Sequence, residues 1–339
     1  MNLPASPNTA NPMTASLQCL SHTPVMNSVL LRPEMEKEVR TALLGVRNRA
    51  ESFAPDLIVL FGPDHFNGVL YDMMPPYCIG ARAQSMGDYG TAAGPLPVAT
   101  QLAMRCVQSV LDDGVDVAVS HRLRVDHGFT QTLELLTGAI DRSLILPVFV
   151  NCIAKPMSPV RRVHALGTAI GRFLKRECPD KRILIVGSGG LSHDPPVPDL
   201  ETASEPTRTN LRDGRRRTAD EQRAHEARVV AAARAFAAGD GNGGGGIMPL
   251  NPEWDRRVLD WLCAGDFASL DALSDAEISS QGGSGAHEIR TWVGAFACFA
   301  AFGPYVAEVD YYRAIPDWIA GFAIAHGNHA AATVLGSPA

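Results

Sequence analysis

Ten histidines lie along the chain, and four of them stand where an apolar run gives way to a turn. His22 follows the strand-like Leu17-Gln-Cys-Leu-Ser21 and precedes Thr23-Pro24. His65 closes Gly62-Pro63-Asp64-His65, directly after the apolar run Leu57-Ile-Val-Leu-Phe61. His127 sits in Val125-Asp-His-Gly128, and His193 closes Gly187-Ser-Gly-Gly-Leu-Ser-His193. In open α/β sheets ligands bind beyond the carboxyl ends of the strands, so histidines at strand exits converge on one crevice. One such residue reads most simply as a hydrogen-bonded loop histidine; three or four point to a site.

Two neutral imidazoles and one carboxylate, with coordination positions left open, suit a mononuclear non-haem iron(II) that must also hold substrate and oxygen. The carboxylate offsets one of the metal's two charges. A chelating catecholate then brings the assembly near neutrality, which limits the cost of burying ions. His22 and His65 are the expected ligand pair. Glu288 follows the glycine-rich Gly282 to Gly285 and opens an apolar helix, which makes it the best candidate for the third ligand. An acid at a helix N-terminus is equally explained by the helix dipole, and spacing alone does not separate the two readings. The run Gly187 to Ser192 has GxG without the third glycine, and His193-Asp-Pro-Pro196 follows where a helix should start. A dinucleotide loop is therefore rejected, and neither a Walker motif nor a GxSxG elbow occurs.

The elements that must position these residues follow from the hydrophobic pattern. Leu57 to Phe61, Val115 to Ser120, Leu144 to Val150 and Ile183 to Val186 read as strands buried on both faces. Between them, Glu34 to Phe53, Pro97 to Asp112 and Pro159 to Arg176 carry helical periodicity. This alternation predicts an α/β layered sandwich, a single domain whose central, largely parallel or mixed sheet is flanked by helices. After His193 the texture changes to a proline-rich loop, then helices at Thr218 to Ala238, Trp254 to Ala264, Asp266 to Leu273 and from about His287 to Ala301. The glycine run Asp240 to Gly246 reads as a surface connection. Residues 1–17 read as a flexible N-terminal extension and residues 18–339 as the catalytic domain.

Composition narrows the class further. The 339 residues are 46% hydrophobic and 19% charged with a formal net charge of -6, which gives no footprint for a nucleic acid. The one cationic cluster, Arg212 to Arg217, is followed by Asp220, Glu221 and Glu226 and reads as a solvated helix face. Seven scattered cysteines without a CxxC suggest neither a disulfide framework nor a zinc site, and fit a cytoplasmic protein. No signal peptide and no apolar run long enough for a membrane helix is visible, so no membrane partner is expected.

Five co-linear motifs carry a family resemblance: Cys19-Leu-Ser-His-Thr-Pro24, Phe61-Gly-Pro-Asp-His-Phe-Asn-Gly68, Val125-Asp-His-Gly-Phe129, Gly187-Ser-Gly-Gly-Leu-Ser-His193 and His287-Glu-Ile-Arg-Thr-Trp292. Together they resemble the type III extradiol dioxygenases, over a span from about Gln18 to Phe322. Tyr71-Asp-Met-Met-Pro-Pro-Tyr77, Leu250-Asn-Pro-Glu-Trp254 and Ile315-Pro-Asp-Trp-Ile-Ala-Gly321 add to the likeness. The resemblance implies Fe(2+) held by His22, His65 and Glu288, with His193 accepting a phenolic proton and His127 donating one to the departing oxygen. It also implies a homo-oligomer that takes a catechol and O2. The nearest likeness is to members acting on catechols with a propionate or propenoate arm, which should want a cationic or hydrogen-bonding partner; no particular arginine stands out. The competing readings are a zinc-dependent hydrolase using the same histidines and a non-catalytic binding protein on the same fold. The second pair, His127 and His193, opposes both, because a site that only binds does not need it.

Overall fold

Leu57–Gly62, Ile145–Val150 and Ile183–Ser188 are buried at every position, as continuous apolar runs must be when both faces of a sheet are covered. In the computed structural model, which describes residues 15–239 and 247–329, the strands are β1 (Ala15–Leu20), β2 (Leu57–Gly62), β3 (Tyr77–Gly80), β4 (Ala83–Met86), β5 (Ala93–Leu96), β6 (Ala118–Ser120), β7 (Leu123–Val125), β8 (Ile145–Val150), β9 (Ile183–Ser188), β10 (Tyr305–Ile315) and β11 (Ala320–His329). Eight of them form a mixed sheet in the order β10-β11-β1-β9-β2-β8-β3-β6, and β5-β4-β7 form a smaller one. The centre, β1-β9-β2-β8, is parallel. β11 runs antiparallel to β1, and β3 antiparallel to β8.

The helices are α1 (Pro33–Phe53), α2 (Thr100–Asp112), α3 (His127–Thr137), α4 (Val160–Glu177), α5 (Glu205–Arg212), α6 (Ala219–Ala238), α7 (Pro252–Ala264), α8 (Phe267–Ala272), α9 (Asp275–Gly282) and α10 (Ile289–Ala300). Alternation along the central strands divides the core into two layers. Val59 and Ile185 pack with α2, α4, α7 and α10 on one face, while Ile58, Leu60, Leu184 and Val186 pack with α1, α3 and α6 on the other. The expected α/β sandwich is the one observed, with a mixed sheet.

Helix α10, which carries Glu288 just before its start, is pressed closely onto α4. A Cβ built on Gly167 would stand 2.2 Å from the Gly294 carbonyl oxygen, and one on Gly171 would stand 2.2 Å from that of Cys298. Only glycine, one turn apart on α4, lets the two backbones meet at this distance.

Three expectations change. The extension over residues 1–17 is too long: Ala15 and Leu17 are wholly buried in β1, because this strand fills the place between β11 and β9. Residues 1–14 and the glycine run 240–246 lie outside the described residues. The run Val115 to Ser120 is a strand only at Ala118–Ser120. The hairpin β10–β11 closes the sheet where the sequence pattern announced no strands at all. No described helix is long and apolar enough to cross a membrane.

Candidate active site

The parallel centre aligns its strand exits. Leu20 is level with Ser188 and Phe61 with Gly187, so the residues that follow β1, β2 and β9 emerge at one edge of the sheet. Those residues carry His22, His65 and His193. His127 begins α3, whose N-cap Asp126 accepts the Gly128 N–H at 3.0 Å. Glu288 ends a short 3-10 turn, Gly285–Glu288, that leads into α10. All five residues expected to do chemistry meet in one place. Ring centroids of His22 lie 5.3 Å from His65 and 5.4 Å from His127, and His65 stacks on His127 at 4.4 Å.

Every one of the four imidazoles is held by its Nδ1. His22 Nδ1 lies 3.0 Å from Ser188 Oγ. That hydroxyl spends its single proton on the Gly128 carbonyl, so His22 Nδ1–H is the donor. His65 Nδ1–H donates to Asp126 Oδ2 at 3.0 Å, His127 Nδ1–H to Asp88 Oδ2 at 2.6 Å, and His193 Nδ1–H to the Leu191 carbonyl at 2.9 Å. At His22, His127 and His193 this leaves Nε2 as the nitrogen without a proton in the neutral ring, whereas His65 has a carboxylate against each of its nitrogens. Gly285 lies so close beneath His193 that a Cβ there would stand 2.2 Å from Nε2.

The Nε2 atoms of His65, His193 and His22 face the Glu288 carboxylate, which is almost wholly buried. Oε1 lies 2.9 Å from His65 Nε2 and 3.5 Å from His193 Nε2, and Oε2 lies 3.9 Å from His22 Nε2. The Gly190 N–H donates to Oε2 at 2.7 Å. His22, His65 and His127 also offer one ligand atom each within 4.8 Å of one another, so the cluster has nitrogen and oxygen donors to spare for a single metal ion. His127 Nε2 is buried without a hydrogen-bond partner among the described residues.

The electrostatics divide the imidazoles of the cluster. Burial pushes the His22 imidazole down to about 3, against the pull of Glu288, so the ring is neutral and able to coordinate at ordinary pH. Burial opposes the charged form of Glu288 too, but the surrounding imidazoles of His22, His193 and His65 outweigh it and hold the carboxyl well below its usual range. At His65 burial is outweighed in the opposite sense by the Asp126 and Glu288 carboxylates, and at His193 chiefly by Glu288, so both are raised.

Sequence reasoning missed Ser188, Asp88 and the part played by Asp126. Asp126 stood in the Val125-Asp-His-Gly motif beside His127, yet it serves His65. Asp88 is 39 positions from His127, with nothing in spacing to connect them. Tyr89 beside it packs edge-on against the His127 ring at 4.9 Å. Phe66, Tyr89 and Ile319, all at the site, hold left-handed backbones with φ of 54°, 48° and 51°, a strain characteristic of functional sites.

A protein-family profile described as the catalytic LigB subunit of aromatic ring-opening dioxygenase matches residues 16–323. The chain belongs to this family. It is accordingly an oxidoreductase, an extradiol ring-cleaving dioxygenase that depends on a metal. Curated relatives agree. A 2,3-dihydroxyphenylpropionate/2,3-dihydroxicinnamic acid 1,2-dioxygenase of Cupriavidus pinatubonensis is 49% identical over 94% of this chain and 100% of its own length. The enzyme of the same name from Cupriavidus necator is 50% identical over the same shares. One from a Rhodococcus species is 49% identical over 92% of this chain and 98% of its own. The family resemblance drawn from the five sequence motifs therefore holds, and the hydrolase and binding-protein readings fall.

Proposed function

We propose that the enzyme uses iron(II) to open 3-(2,3-dihydroxyphenyl)propanoate, and 2,3-dihydroxycinnamate, beside the two hydroxyls. The products are 2-hydroxy-6-oxonona-2,4-dienedioate and its 2,4,7-triene counterpart, as part of bacterial aromatic-compound catabolism in the cytoplasm. The observation that carries this reading is the buried Glu288 carboxylate, with one oxygen against His65 Nε2 and the other towards His22 Nε2. A carboxylate and two neutral imidazoles on one side of a hollow form the donor set that suits ferrous iron with open positions. Ser188 and Asp126 behind the imidazoles supply the outer hydrogen bonds that metal-binding histidines require. His22, His65 and Glu288 would hold the metal. Iron(II), when bound, would supply the electron density that dioxygen needs and the positions at which the catechol chelates.

The remaining chemistry belongs to the chain's own residues. His193, with Nδ1–H given to Leu191, presents a basic Nε2 that takes a phenolic proton as the catechol enters. His127 acts as the imidazolium: it keeps Nδ1–H on the Asp88 carboxylate, which is its countercharge, and gives the second proton, on Nε2, to the departing oxygen. Pro24, Trp318 and Ile319 line the hollow with apolar surface, which limits water around the reacting ring. The free cysteines fit a reducing compartment, and a homo-oligomer is the expected assembly.

The test is anaerobic loading with iron(II) or zinc, followed by a panel of catechols with and without a carboxylated arm. Oxygen uptake and the yellow ring-opened product should appear with iron(II) and be greatest for the carboxylated substrates. Equal activity with zinc alone would overturn the iron assignment.

A further inference from the structure

The hollow among the histidines measures about 70 Å³, far below the roughly 300–1,000 Å³ of sites that enclose a small organic ligand. It has room for the diol end of a catechol and little else. Beside it lies a second cavity of about 630 Å³. Pro196 lines both spaces. Helix α6 lines both as well: Val229 faces the hollow, while His225, one turn earlier on the same face, and Arg228 line the larger cavity. The opposite wall is made by Phe66 and Asn67, directly after His65.

The larger cavity is strongly cationic. Four arginines, Arg215, Arg216, Arg217 and Arg228, line it against the single carboxylate of Glu221. That carboxylate is taken up by Arg215, at 2.9 and 3.2 Å, and by the capping box with Thr218 at the start of α6. Arg216 donates to the Gly68 carbonyl. Arg217 is half-buried and donates through Nη1 to Asn67 Oδ1 at 2.9 Å. Among the described residues no carboxylate lies within 4.0 Å of Arg217 or Arg228. The positive field is felt at His225, whose imidazole is pushed down to about 4 by burial first and then by Arg217 and Arg228. The cluster expected to be a solvated helix face is thus the last residue of α5 and the loop that leads to α6, and the last arginine of that loop turns inward.

We propose that Arg217 and Arg228 are the subsite for the side-chain carboxylate of the catechol. This rests on the carboxylated substrate proposed above and names what recognises it. Asn67 fixes one edge of the Arg217 guanidinium and leaves its other N–H groups for a ligand, and a planar fork of donors matches a carboxylate better than an ammonium does. The substrate is then held at both ends, the diol in the hollow and the carboxylate in the cavity beyond Pro196. Asn67 also donates to Asp126 Oδ2 at 2.8 Å, the same oxygen that receives His65 Nδ1–H. The subsite and the metal cluster therefore share a hydrogen-bonded wall.

The experiment compares kcat/KM for 3-(2,3-dihydroxyphenyl)propanoate and the uncharged 3-propylcatechol in the iron-loaded enzyme and in the variants Arg217→Gln, Arg217→Lys and Arg228→Gln. The calorimetric dissociation constant of 3-phenylpropanoate, which lacks the diol, is measured alongside. Preference for the carboxylated substrate should fall about 10- to 100-fold in each Gln variant, the loss expected for a hydrogen bond to a charged group, and less in Arg217→Lys. Binding of 3-phenylpropanoate should weaken in parallel. Arg228 is exposed on α6 and touches none of the metal cluster, so its variant separates recognition from any disturbance of His65 through Asn67. A preference that survives both Gln variants within a factor of about two overturns the subsite while leaving the substrate proposal standing. No preference in the unaltered enzyme overturns both.

Discussion

His65 Nε2 lies 2.9 Å from Glu288 Oε1, although the two residues are 223 positions apart. Their meeting depends on β2 releasing its chain at the sheet edge and on α10 being drawn against α4 from the other side. Neither residue could be placed against the other by local sequence, because the contact is made by the whole sandwich.

That meeting predicts a joint loss. Glu288→Ala, His65→Ala or His22→Ala should each abolish iron retention along with turnover, since two remaining protein ligands make an inadequate site. Asp126→Asn should leave the ligands in place and lower metal affinity by about 10- to 100-fold, the usual effect of removing an outer partner of a metal-bound histidine. Metal content after anaerobic loading and desalting measures both. Full iron occupancy in any of the three Ala variants would remove that residue from the ligand set.

The close approach of α4 to α10 gives a test far from the chemistry. Gly167→Ala places a methyl where the Gly294 carbonyl now stands, so α10 must move. Overpacking of this kind costs roughly 1–3 kcal/mol, and the displacement should reach Glu288 at the head of the helix. Lower thermal stability together with weaker iron binding is expected. A loss of stability with metal affinity unchanged would show that Glu288 is positioned by its own turn rather than by the helix.

Much of this arrangement was legible beforehand, and the illegible parts have physical causes. Strands β2 and β9 were readable because burial on both faces writes an unbroken apolar run. Four histidines were readable because each follows such a run or a glycine turn. The hairpin β10–β11 was not, since Ala320–His329 is rich in small residues and Tyr305–Ile315 is an edge strand buried at only one position, so neither shows a clean period. Asp88 was hidden because its bond to His127 joins the small second sheet to α3. Arg217 was hidden because a run of arginines normally faces water, and only the folded chain turns one of them towards Asn67.

Asp255 supplies a pH signature of stability. It accepts hydrogen bonds from the Ser192 N–H and Oγ and from Tyr312, yet burial pushes its carboxyl up to about 6. In the unfolded chain the same group loses its proton near 4. The unfolded state therefore releases the proton first as pH rises, and the contribution of this group is present below about 4 and lost by about 6, an amount on the order of 3 kcal/mol. Asp255→Asn cannot titrate. The stability of the unaltered protein relative to this variant should be greater at pH 4 than at pH 7, as read by chemical denaturation at both values. A difference that grows towards pH 7 would contradict the raised carboxyl.

Asp88 should act on turnover through His127. Asp88→Asn keeps a neighbour for Nδ1 but removes the countercharge, so iron content should hold while kcat falls, with KM for the catechol little changed. Loss of iron in this variant would point instead to His127 as a ligand, as its place in the three-histidine cluster allows.

The last expectation separates proton transfer from metal binding at His127 and His193. Each ring has its Nδ1 committed, to Asp88 and to the Leu191 carbonyl; His193 lines the hollow, and His127 Nε2 is buried without a hydrogen-bond partner among the described residues. If His22, His65 and Glu288 complete the metal site, converting either residue to Ala should leave iron binding largely intact. Turnover should fall by about 10²–10⁴-fold, the usual contribution of a positioned acid or base. The two variants should differ in their response to pH. Without His193, a more basic solution supplies catechol already missing one proton, so the basic limb of the kcat/KM profile is retained. Without His127, the departing oxygen must find its proton in solution, and a rise in pH makes that harder, so the basic limb is depleted. Iron content and full pH profiles of kcat/KM for both variants decide the matter. Coincident profiles would mean that the two histidines do not divide the acid and base roles, even with the metal site intact.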